Sequence, residues 1–374
     1  MALLSKVYRL SHFMWRIWLK LLLWLKTFSM HKLGITLLFS CILMTLSGQE
    51  ELLIPHPDGH SLAGTLVLPS GTGPFKCVIL ISGSGPQNRD EELLGHKPFQ
   101  VISDHLSKTG TAVFRFDDRG IAKSTGDHDK ATSADFASDV VAIYDYLSKD
   151  KRINTSQIGL AGHSEGGMIA AMAAVKRPTV AFVISLAGTG VSGKDVLFLQ
   201  NFLIAKKMGL NDDQAKTQQE NVMRLINIIE SESDTAVAKQ KLTDAFDEQY
   251  GAQKEFIPNY DEMRKGQIAS MGSPWMRFFV TYNPADDWKK VKCPVLILNG
   301  ADDIQVIADQ NMTAIAAALE NGGNSNYQMV LFPKMNHLFQ YCETCSLQEY
   351  STIQGCFELD VLTEMEEWLR KTIR

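Results

Sequence analysis

The segment Ile158–Gly167, IGLAGHSEGG, restricts the possible folds of this chain more than any other stretch. An apolar run leads into Gly-His-Ser-Glu-Gly, and small residues at helical spacing follow. This G-x-S-x-G pattern is typical of a sharp turn from a strand into a helix, where only glycines fit around the serine. Ser164 is therefore a candidate nucleophile. The bare motif also occurs by chance in ordinary turns, so the rest of the chain has to supply its partners.

The chain before and just after this turn alternates apolar runs of strand length with amphipathic helical segments. Strands are predicted at 52–54, 62–68, 77–81, 112–116, 158–161 and 180–186, and helices at 99–108 and 134–149. The first two strands form a hairpin around Asp58-Gly59. The later alternation predicts right-handed βαβ units in an α/β fold with a mostly parallel, doubly wound sheet, where ligands bind beyond the carboxyl ends of the strands.

Residues 191–283 interrupt the alternation. They carry apolar residues at helical spacing, with breaks at Gly209 and Asp234 and no convincing strand. We expect a helical cap here, inserted into a core formed by residues 50–190 and 284–374. In the second part of the core, strands are predicted at 294–298 and 327–332 and helices at 308–319 and 358–372.

Residues 1–49 differ from the rest in charge. They hold six basic and no acidic residues, which leaves 31 basic and 42 acidic residues in the remainder, a poor composition for binding nucleic-acid phosphates. The basic start at Met30 and the apolar run 33–46 have the layout of a secretory signal, so we predict export to the periplasm or the medium. The segment 13–28 fits either a membrane-surface helix, which would anchor the protein, or an extension before a true start at Met30.

A serine nucleophile in such a sheet needs an acid and then a histidine, each on a loop after a later strand. Asp303 follows the strand 294–298, with Asp302 as its rival, and the spacing from the preceding glycine favours Asp303. His337 follows the last strand. We therefore predict that His337 takes the proton of Ser164 and that Asp303 orients and stabilises the imidazolium.

Charge on a tetrahedral intermediate also needs preorganised donors. The backbone N–H groups of Ser84, in the loop after the strand 77–81, and of Glu165, next to the nucleophile, are the candidates for this oxyanion hole. His163 is predicted to be a packing or orienting side chain. No pair of histidines has zinc-ligand spacing, so neither a metal nor a cofactor is expected.

Several motifs together resemble a known family. They are ISGSGPQNRDE (81–91), GHKPF (95–99), FDDRG (116–120), GHSEGG (162–167), PWMRFFVTYNP (274–284), PVLILNGADDIQV (294–306) and NHLFQ (336–340). In this order they resemble the EstD-like carboxylesterases, a bacterial α/β-hydrolase group related to the serine aminopeptidase branch. The resemblance implies a serine carboxylesterase that hydrolyses short-chain acyl esters, with a small-molecule ester as its partner.

Some residues of these motifs have a role only through the resemblance. Asp118 and Arg119 are expected to form an ion pair that shapes a turn. His96 and Lys97 either line the site or serve the start of a helix. A peptidase or amidase with the same triad is the main alternative, and a non-catalytic binding protein on the same scaffold is a second one. A peptidase would need acidic groups for a substrate amine, and those of the cap (Asp212, Asp213, Glu230, Glu232) are predicted to be solvated.

The cysteines after His337 suggest a disulfide in an exported protein. The pairs considered are Cys342 or Cys345 with Cys356, either of which would tie down the loop beside the predicted base. Cys77 and Cys293 flank buried strands and are expected to be apolar filler.

Overall fold

One eight-stranded sheet organises the molecule, which we describe from a computed structural model covering residues 48–373. The strands are β1 (Gln49–Pro55), β2 (Ser61–Val67), β3 (Phe75–Ile81), β4 (Thr111–Phe116), β5 (Ile153–His163), β6 (Val183–Leu186), β7 (Val295–Gly300) and β8 (Tyr327–Phe332). Their order in the sheet is β1-β2-β4-β3-β5-β6-β7-β8. β1 and β2 form the predicted antiparallel hairpin, β2 also pairs antiparallel with β4, and all other neighbours are parallel.

The helices lie in the connections, as the alternation predicts. They are α1 (Pro98–Lys108), α2 (Ser133–Leu147), α3 (Glu165–Lys176), α4 (Gly193–Lys207), α5 (Asp212–Ser231), α6 (Thr235–Tyr250), α7 (Tyr260–Met271), α8 (Pro274–Thr281), α9 (Ala285–Trp288), α10 (Ala308–Asn321) and α11 (Leu359–Thr372). Two 3-10 turns, Gly251–Phe256 and Glu349–Ser351, complete them. The predicted α/β fold with a mostly parallel sheet is observed.

Strand β3 shows why the sheet is covered on both faces. Successive side chains of a strand point to opposite faces. Cys77 and Ile79 accordingly pack into the apolar core on one side, and Val78 and Leu80 pack into a separate core on the other side. A continuous apolar run thus stabilises two layers of helices at once, and it fixes β3 at the centre of the sheet.

The stretch between β6 and β7 contains six α-helices, α4 to α9, and no strand. Gly209 ends the first of them with a φ of +90°, which favours glycine. Asp234 begins α6 by accepting the backbone N–H groups of Ala236 and Val237. The apolar faces of α4 to α8 share a third core with Met168 of α3, so they pack directly over the turn that carries Ser164.

Several strand boundaries differ from the prediction by a few residues, and the starts of β5 and β6 show the causes. β5 begins at Ile153 rather than at Ile158, because Ile153 already pairs with Phe75 of β3, ahead of an irregularity in the register. β6 begins at Val183 rather than at Val180, because the N–H of Val180 closes a turn onto the carbonyl of Arg177. Neither shift moves the carboxyl end of a strand, where the predicted site residues lie.

The predicted secretory signal and the segment 13–28 lie outside the described residues. Within residues 48–373, no helix is both long and apolar enough to span a bilayer.

Candidate active site

Ser164 occupies the turn between β5 and α3 with a φ of 54° and a ψ of −121°, a combination that side chains rarely adopt. The flanking glycines make this turn possible. A Cβ on Gly162 would lie 1.9 Å from the carbonyl oxygen of Gly166, and a Cβ on Gly166 would lie 2.3 Å from that of Ile81. The turn therefore has no room for a side chain at either glycine position, and Ser164 between them lines a cavity of about 250 Å³ at the carboxyl end of the sheet.

Asp303 and His337 lie beside the same cavity. Nδ1 of His337 is 2.7 Å from Oδ2 of Asp303, and both side chains are buried. The other carboxylate oxygen of Asp303 accepts the backbone N–H groups of Gln305 at 2.7 Å and Val306 at 3.0 Å. These donors hold the carboxylate with one oxygen towards the imidazole. Asp302, the rival in the sequence, is exposed and does not contact His337 among the described residues.

The structure brings Ser164 and His337 to one cavity, although no hydrogen bond joins their side chains within residues 48–373. Such hydrogen bonds often tighten only when a substrate binds. The backbone N–H of Ser164 donates to the carbonyl of Leu186 at 2.9 Å, which fixes the serine against β6. The three residues predicted as a triad are thus assembled at adjoining strand ends, in the order that the sequence predicts.

The predicted oxyanion donors, Ser84 and Glu165, both line this cavity. Among the described residues, no acceptor binds the backbone N–H of either one. The N–H of Gly83, next to Ser84, is instead bound by the carboxylate of Glu91 at 2.7 Å. A Cβ on Gly83 would lie 3.1 Å from Cβ of Ser164, so the loop passes close to the candidate nucleophile. The arrangement can place two backbone donors around one oxygen atom.

Two motifs of the family resemblance hold this loop in place. Arg89 donates to Asp117 from Nε at 3.0 Å and from Nη2 at 2.7 Å, and it also bonds Glu51 of β1. The fork geometry makes this a strong, oriented contact. Asp118 accepts the hydroxyl of Ser82 at 2.7 Å and the backbone N–H of Gln87 at 2.9 Å. The loop after β3 is therefore bound by the carboxylates that follow β4.

The predicted ion pair between Asp118 and Arg119 is wrong. Arg119 binds Asp139 of α2 instead, from Nε at 2.7 Å and from Nη2 at 2.8 Å. Asp118 has no cationic partner among the described residues, and burial raises its pKa to about 8. Its carboxyl is therefore protonated near neutral pH and stabilises the loop through hydrogen bonds to Ser82 and Gln87.

The carboxyl of Glu165 connects the turn to the helices above it. It accepts the hydroxyl of Ser133 at 2.6 Å and the indole N–H of Trp275 in α8 at 2.9 Å. Burial raises its pKa, although these hydrogen bonds and one from Ser84 oppose the shift. From the sequence, Glu165 has only a predicted backbone role and Trp275 has none. The segment 274–284 carries the family resemblance, but no spacing relates it to Glu165.

His163 is buried beside His337, with 4.7 Å between the ring centroids. Its ring nitrogens contact Glu91 and the backbone carbonyl of His337. The predicted orienting role is compatible with these contacts. His96 and Lys97 lie at the start of α1, where Lys97 is the N-terminal cap residue and His96 bonds the backbone of Leu93.

The structure also joins three residues that the sequence left apart. His56, His60 and Asp139 lie close enough to be considered as metal ligands. However, His56 accepts the backbone N–H of Asp58 at Nδ1, so its Nε2 carries the proton and cannot also bind a metal. Asp139 is already held by the guanidinium of Arg119. The group is a hydrogen-bonded charge cluster that joins the β1–β2 hairpin to α2.

The cysteine pairing differs from both predicted options. Cys342 and Cys345 form the disulfide, with 5.0 Å between their Cα atoms, and Cys356 is free. The reason is local: the carboxylate of Glu349 accepts the backbone N–H groups at 343–345 and folds them into a tight turn. Cys356 lies elsewhere, where its sulfur accepts the backbone N–H of Lys97 at 3.0 Å.

Comparison with known proteins identifies the family of this chain. The model of the X-Pro dipeptidyl-peptidase family, S15, matches residues 58–338, and the chain therefore belongs to this family. Esterase EstD of Thermotoga maritima is 25% identical over 319 residues, which cover 83% of this chain and 66% of EstD. The predicted resemblance to the EstD-like group is confirmed.

Solved structures agree on the fold. An esterase of Pyrococcus furiosus aligns with a TM-score of 0.54 at 16% identity, covering 87% of this chain and 92% of its own. Est1E of Butyrivibrio proteoclasticus, determined with ferulic acid bound, aligns with a TM-score of 0.50 at 17% identity, covering 86% of this chain and 99% of its own. The α/β-hydrolase fold predicted from the sequence is thus confirmed.

Proposed function

We propose that this protein is a serine carboxylesterase that hydrolyses short-chain acyl esters through an acyl-enzyme. The observation that carries the proposal is the 2.7 Å contact between His337 and Asp303 at a cavity that also exposes Ser164 on its strained turn. Relatives and solved neighbours with esterase names support the ester substrate.

The chemistry follows from these positions. His337 removes the proton of Ser164 as the serine oxygen attacks the ester carbonyl carbon. The N–H groups of Ser84 and Glu165 stabilise the negative oxygen of the tetrahedral intermediate. The intermediate collapses when His337 gives the proton to the leaving alcohol. Water then attacks the acyl-enzyme, His337 again takes and returns the proton, and the acid leaves.

The cavity favours small acyl groups. Its volume of about 250 Å³ is small for a ligand site. At roughly 30 Å³ for each water-sized group, it holds on the order of eight heavy atoms. Val196, Leu197 and Phe279 give it an apolar wall formed by α4 and α8. Acetyl and butyryl groups fit this space, whereas a palmitoyl chain exceeds it.

The peptidase alternative is favoured by the family match itself, which is to X-Pro dipeptidyl-peptidases. A free substrate amine would need an available carboxylate in the cavity. Among the described residues, Glu91 and Glu165 are the acidic side chains that line it, and both are already hydrogen-bonded by protein donors. The acidic residues of the cap do not line it. Because protein donors already bind both carboxylates, the cavity favours ester substrates over aminoacyl substrates.

Matched aspartate variants test the proposal. The purified protein should hydrolyse p-nitrophenyl acetate and butyrate far faster than the palmitate, and faster than alanyl-prolyl p-nitroanilide. Ser164→Ala should abolish this activity, and Asp303→Asn should lower kcat by about 10⁴-fold because the imidazole loses its orienting partner. Asp302→Asn, the exposed neighbour, should stay within about twofold of the wild type.

Two results would reject the proposal. Full activity in Ser164→Ala would show that Ser164 is not the nucleophile. Faster cleavage of the dipeptidyl anilide than of any ester would show that the protein is a peptidase rather than an esterase.

We also propose that the chain is exported. The support is the basic and apolar layout that begins at Met30, together with a disulfide, which persists in oxidising compartments. Mass spectrometry of the protein recovered from the periplasm or medium should find an N-terminus between about residues 45 and 50, where the small-residue region ends. An intact N-terminus on a protein confined to the cytoplasm would contradict export.

A further inference from the structure

Glu91 makes contacts that the proposed triad does not use. It is 6% exposed and lies 72 positions before His163 in the sequence, yet one of its carboxylate oxygens, Oε1, binds two partners. That oxygen accepts the backbone N–H of Gly83 at 2.7 Å and lies 2.9 Å from Nδ1 of His163. Gly83 precedes Ser84 in the loop that carries a predicted oxyanion donor. A single carboxylate oxygen therefore joins this loop to the turn of the nucleophile.

The other side of His163 reaches the predicted base. Its Nε2 lies 3.0 Å from the backbone carbonyl oxygen of His337. The chain of contacts thus runs from Gly83 through Glu91 and His163 to the loop of His337. It fixes the two loops that must act together on one intermediate, and it reaches the backbone of His337, whereas Asp303 contacts its imidazole ring.

The acceptors on both sides of His163 determine its protonation. A carbonyl oxygen accepts hydrogen bonds only, and so does an ionised carboxylate. Neutral imidazole has a single N–H and satisfies one of these contacts, whereas imidazolium satisfies both. We propose that Glu91 and His163 form a buried, charged positioning pair of a carboxylate and an imidazolium. The pair holds the loop that carries Ser84 and the loop that carries His337 in the relative position that catalysis needs. This inference rests on the proposed ester hydrolysis at Ser164.

The electrostatic surroundings agree with the geometry. Burial lowers the pKa of His163. The charges of Glu91 and Asp303, and the hydrogen bonds that His163 donates to Glu91 and to the carbonyl of His337, outweigh burial, so the pKa is raised. The His337 ring faces His163 at 4.7 Å between centroids.

The position of Glu91 in the chain is itself rigid. Glu91 has a φ of +50°, and its N–H donates to the carbonyl of Asn88. The two preceding residues are anchored as well, Arg89 to Asp117 and Asp90 to Arg115. A side chain fixed in this way can hold its partners, Gly83 and His163, in place, whereas a carboxylate on a free loop could not.

The first experiment does not depend on activity. Proton-detected NMR of protein labelled with ¹⁵N-histidine, with His163→Gln to assign the signals, should show two protonated ring nitrogens for His163 at pH 7 in the wild type. Glu91→Gln should lose one of them, because the amide no longer stabilises the cation. One ring N–H in the wild type at pH 7 would overturn the proposal, whatever the protein hydrolyses.

The second experiment measures the kinetic consequence on p-nitrophenyl butyrate. Glu91→Gln should lower kcat roughly ten- to hundredfold, since small misplacement of reacting groups has effects of this size. KM should change less than about threefold, because Glu91→Gln keeps the size and shape of the side chain that lines the cavity. Glu92→Gln is the matched control: its side chain is 40% exposed beside Lys97, and its kcat should be unchanged. Glu91→Gln with kcat within twofold of the wild type would overturn the positioning role.

The two experiments separate the possible failures. If the wild type hydrolyses no ester, the proposed function fails, while the NMR result still decides whether the charged pair exists. If Glu91→Gln does not fold, the wild-type spectrum and the kinetics of His163→Gln take its place. His163→Gln should lower kcat as much as Glu91→Gln does, and an unchanged kcat in that variant would likewise overturn the proposal.

Discussion

Replacing Asp118 by asparagine tests how burial controls the loop after β3. The carboxyl of Asp118 is 8% exposed and accepts hydrogen bonds from Ser82 and Gln87. Burial, with smaller contributions from the charges of Glu165 and Glu91, raises its pKa to about 8. When the carboxyl is protonated, the hydroxyl of Ser82 can rotate to accept the carboxyl proton, and the other oxygen still accepts from Gln87. Asparagine has the same shape and the same pattern of donor and acceptor.

The sign of the effect follows from the two pKa values. In the unfolded chain the carboxyl ionises near 3.8, whereas in the folded chain it stays protonated up to about 8. Between these values the unfolded state releases a proton that the folded state keeps, so the free energy of unfolding falls by about 1.4 kcal/mol per pH unit. The wild type should therefore lose about 3 kcal/mol through this group from pH 5 to pH 7. Asparagine does not titrate, so Asp118→Asn does not lose this stability as the pH rises.

Urea unfolding of the wild type and Asp118→Asn at pH 5, 6 and 7 measures the difference, with the disulfide kept intact. All other groups titrate alike in both proteins and cancel. The stability of Asp118→Asn relative to the wild type should rise by about 3 kcal/mol over this range. Asp302→Asn, an exposed carboxylate, should show no such trend. A difference that is constant from pH 5 to pH 7, or that shrinks, would refute a buried, protonated Asp118.

Three further variants test contacts of the site. Gly162→Ala should lower the free energy of unfolding by more than about 4 kcal/mol and abolish fluorophosphonate labelling, because a Cβ at this position has no room. The control Gly266→Ala, at an open position in a helix, should raise the free energy of unfolding by up to about 1 kcal/mol. Trp275→Phe removes the indole donor to the carboxyl beside the nucleophile and should lower the urea stability by about 2 kcal/mol. Replacing Cys342 and Cys345 by serine should remove about 2 kcal/mol, and non-reducing peptide mapping of the wild type should find this pair linked.

Local spacing made much of the fold and site predictable. A contact within the turn itself requires Gly162, and Asp303 and His337 are recognisable because each follows a strand. The pattern of apolar residues located the central strands, since burial on both faces leaves a continuous apolar run. These features depend on neighbours in the sequence, and so the sequence displays them.

Contacts between distant segments could not be predicted in this way. Trp275 reaches Glu165 over 110 positions, and Glu91 reaches His163 over 72. Neither pair has a spacing that marks it, because the partner is chosen by the packing of one layer on another. The disulfide prediction was wrong for the opposite reason, because the true partner is close in the sequence. Glu349 binds a tight turn that brings Cys342 next to Cys345, and both predicted options paired one of these residues with Cys356 instead.

The error at Asp118 and Arg119 has a geometric cause. β4 ends at Phe116, and the N–H of Ile121 donates to the carbonyl of Asp118, so Asp118 and Arg119 belong to a turn rather than to a strand. Asp118 contacts Ser82 in the loop after β3, while Arg119 contacts Asp139 on α2. Adjacency in FDDRG indicates neither partner, because the packing of distant segments brings both of them close.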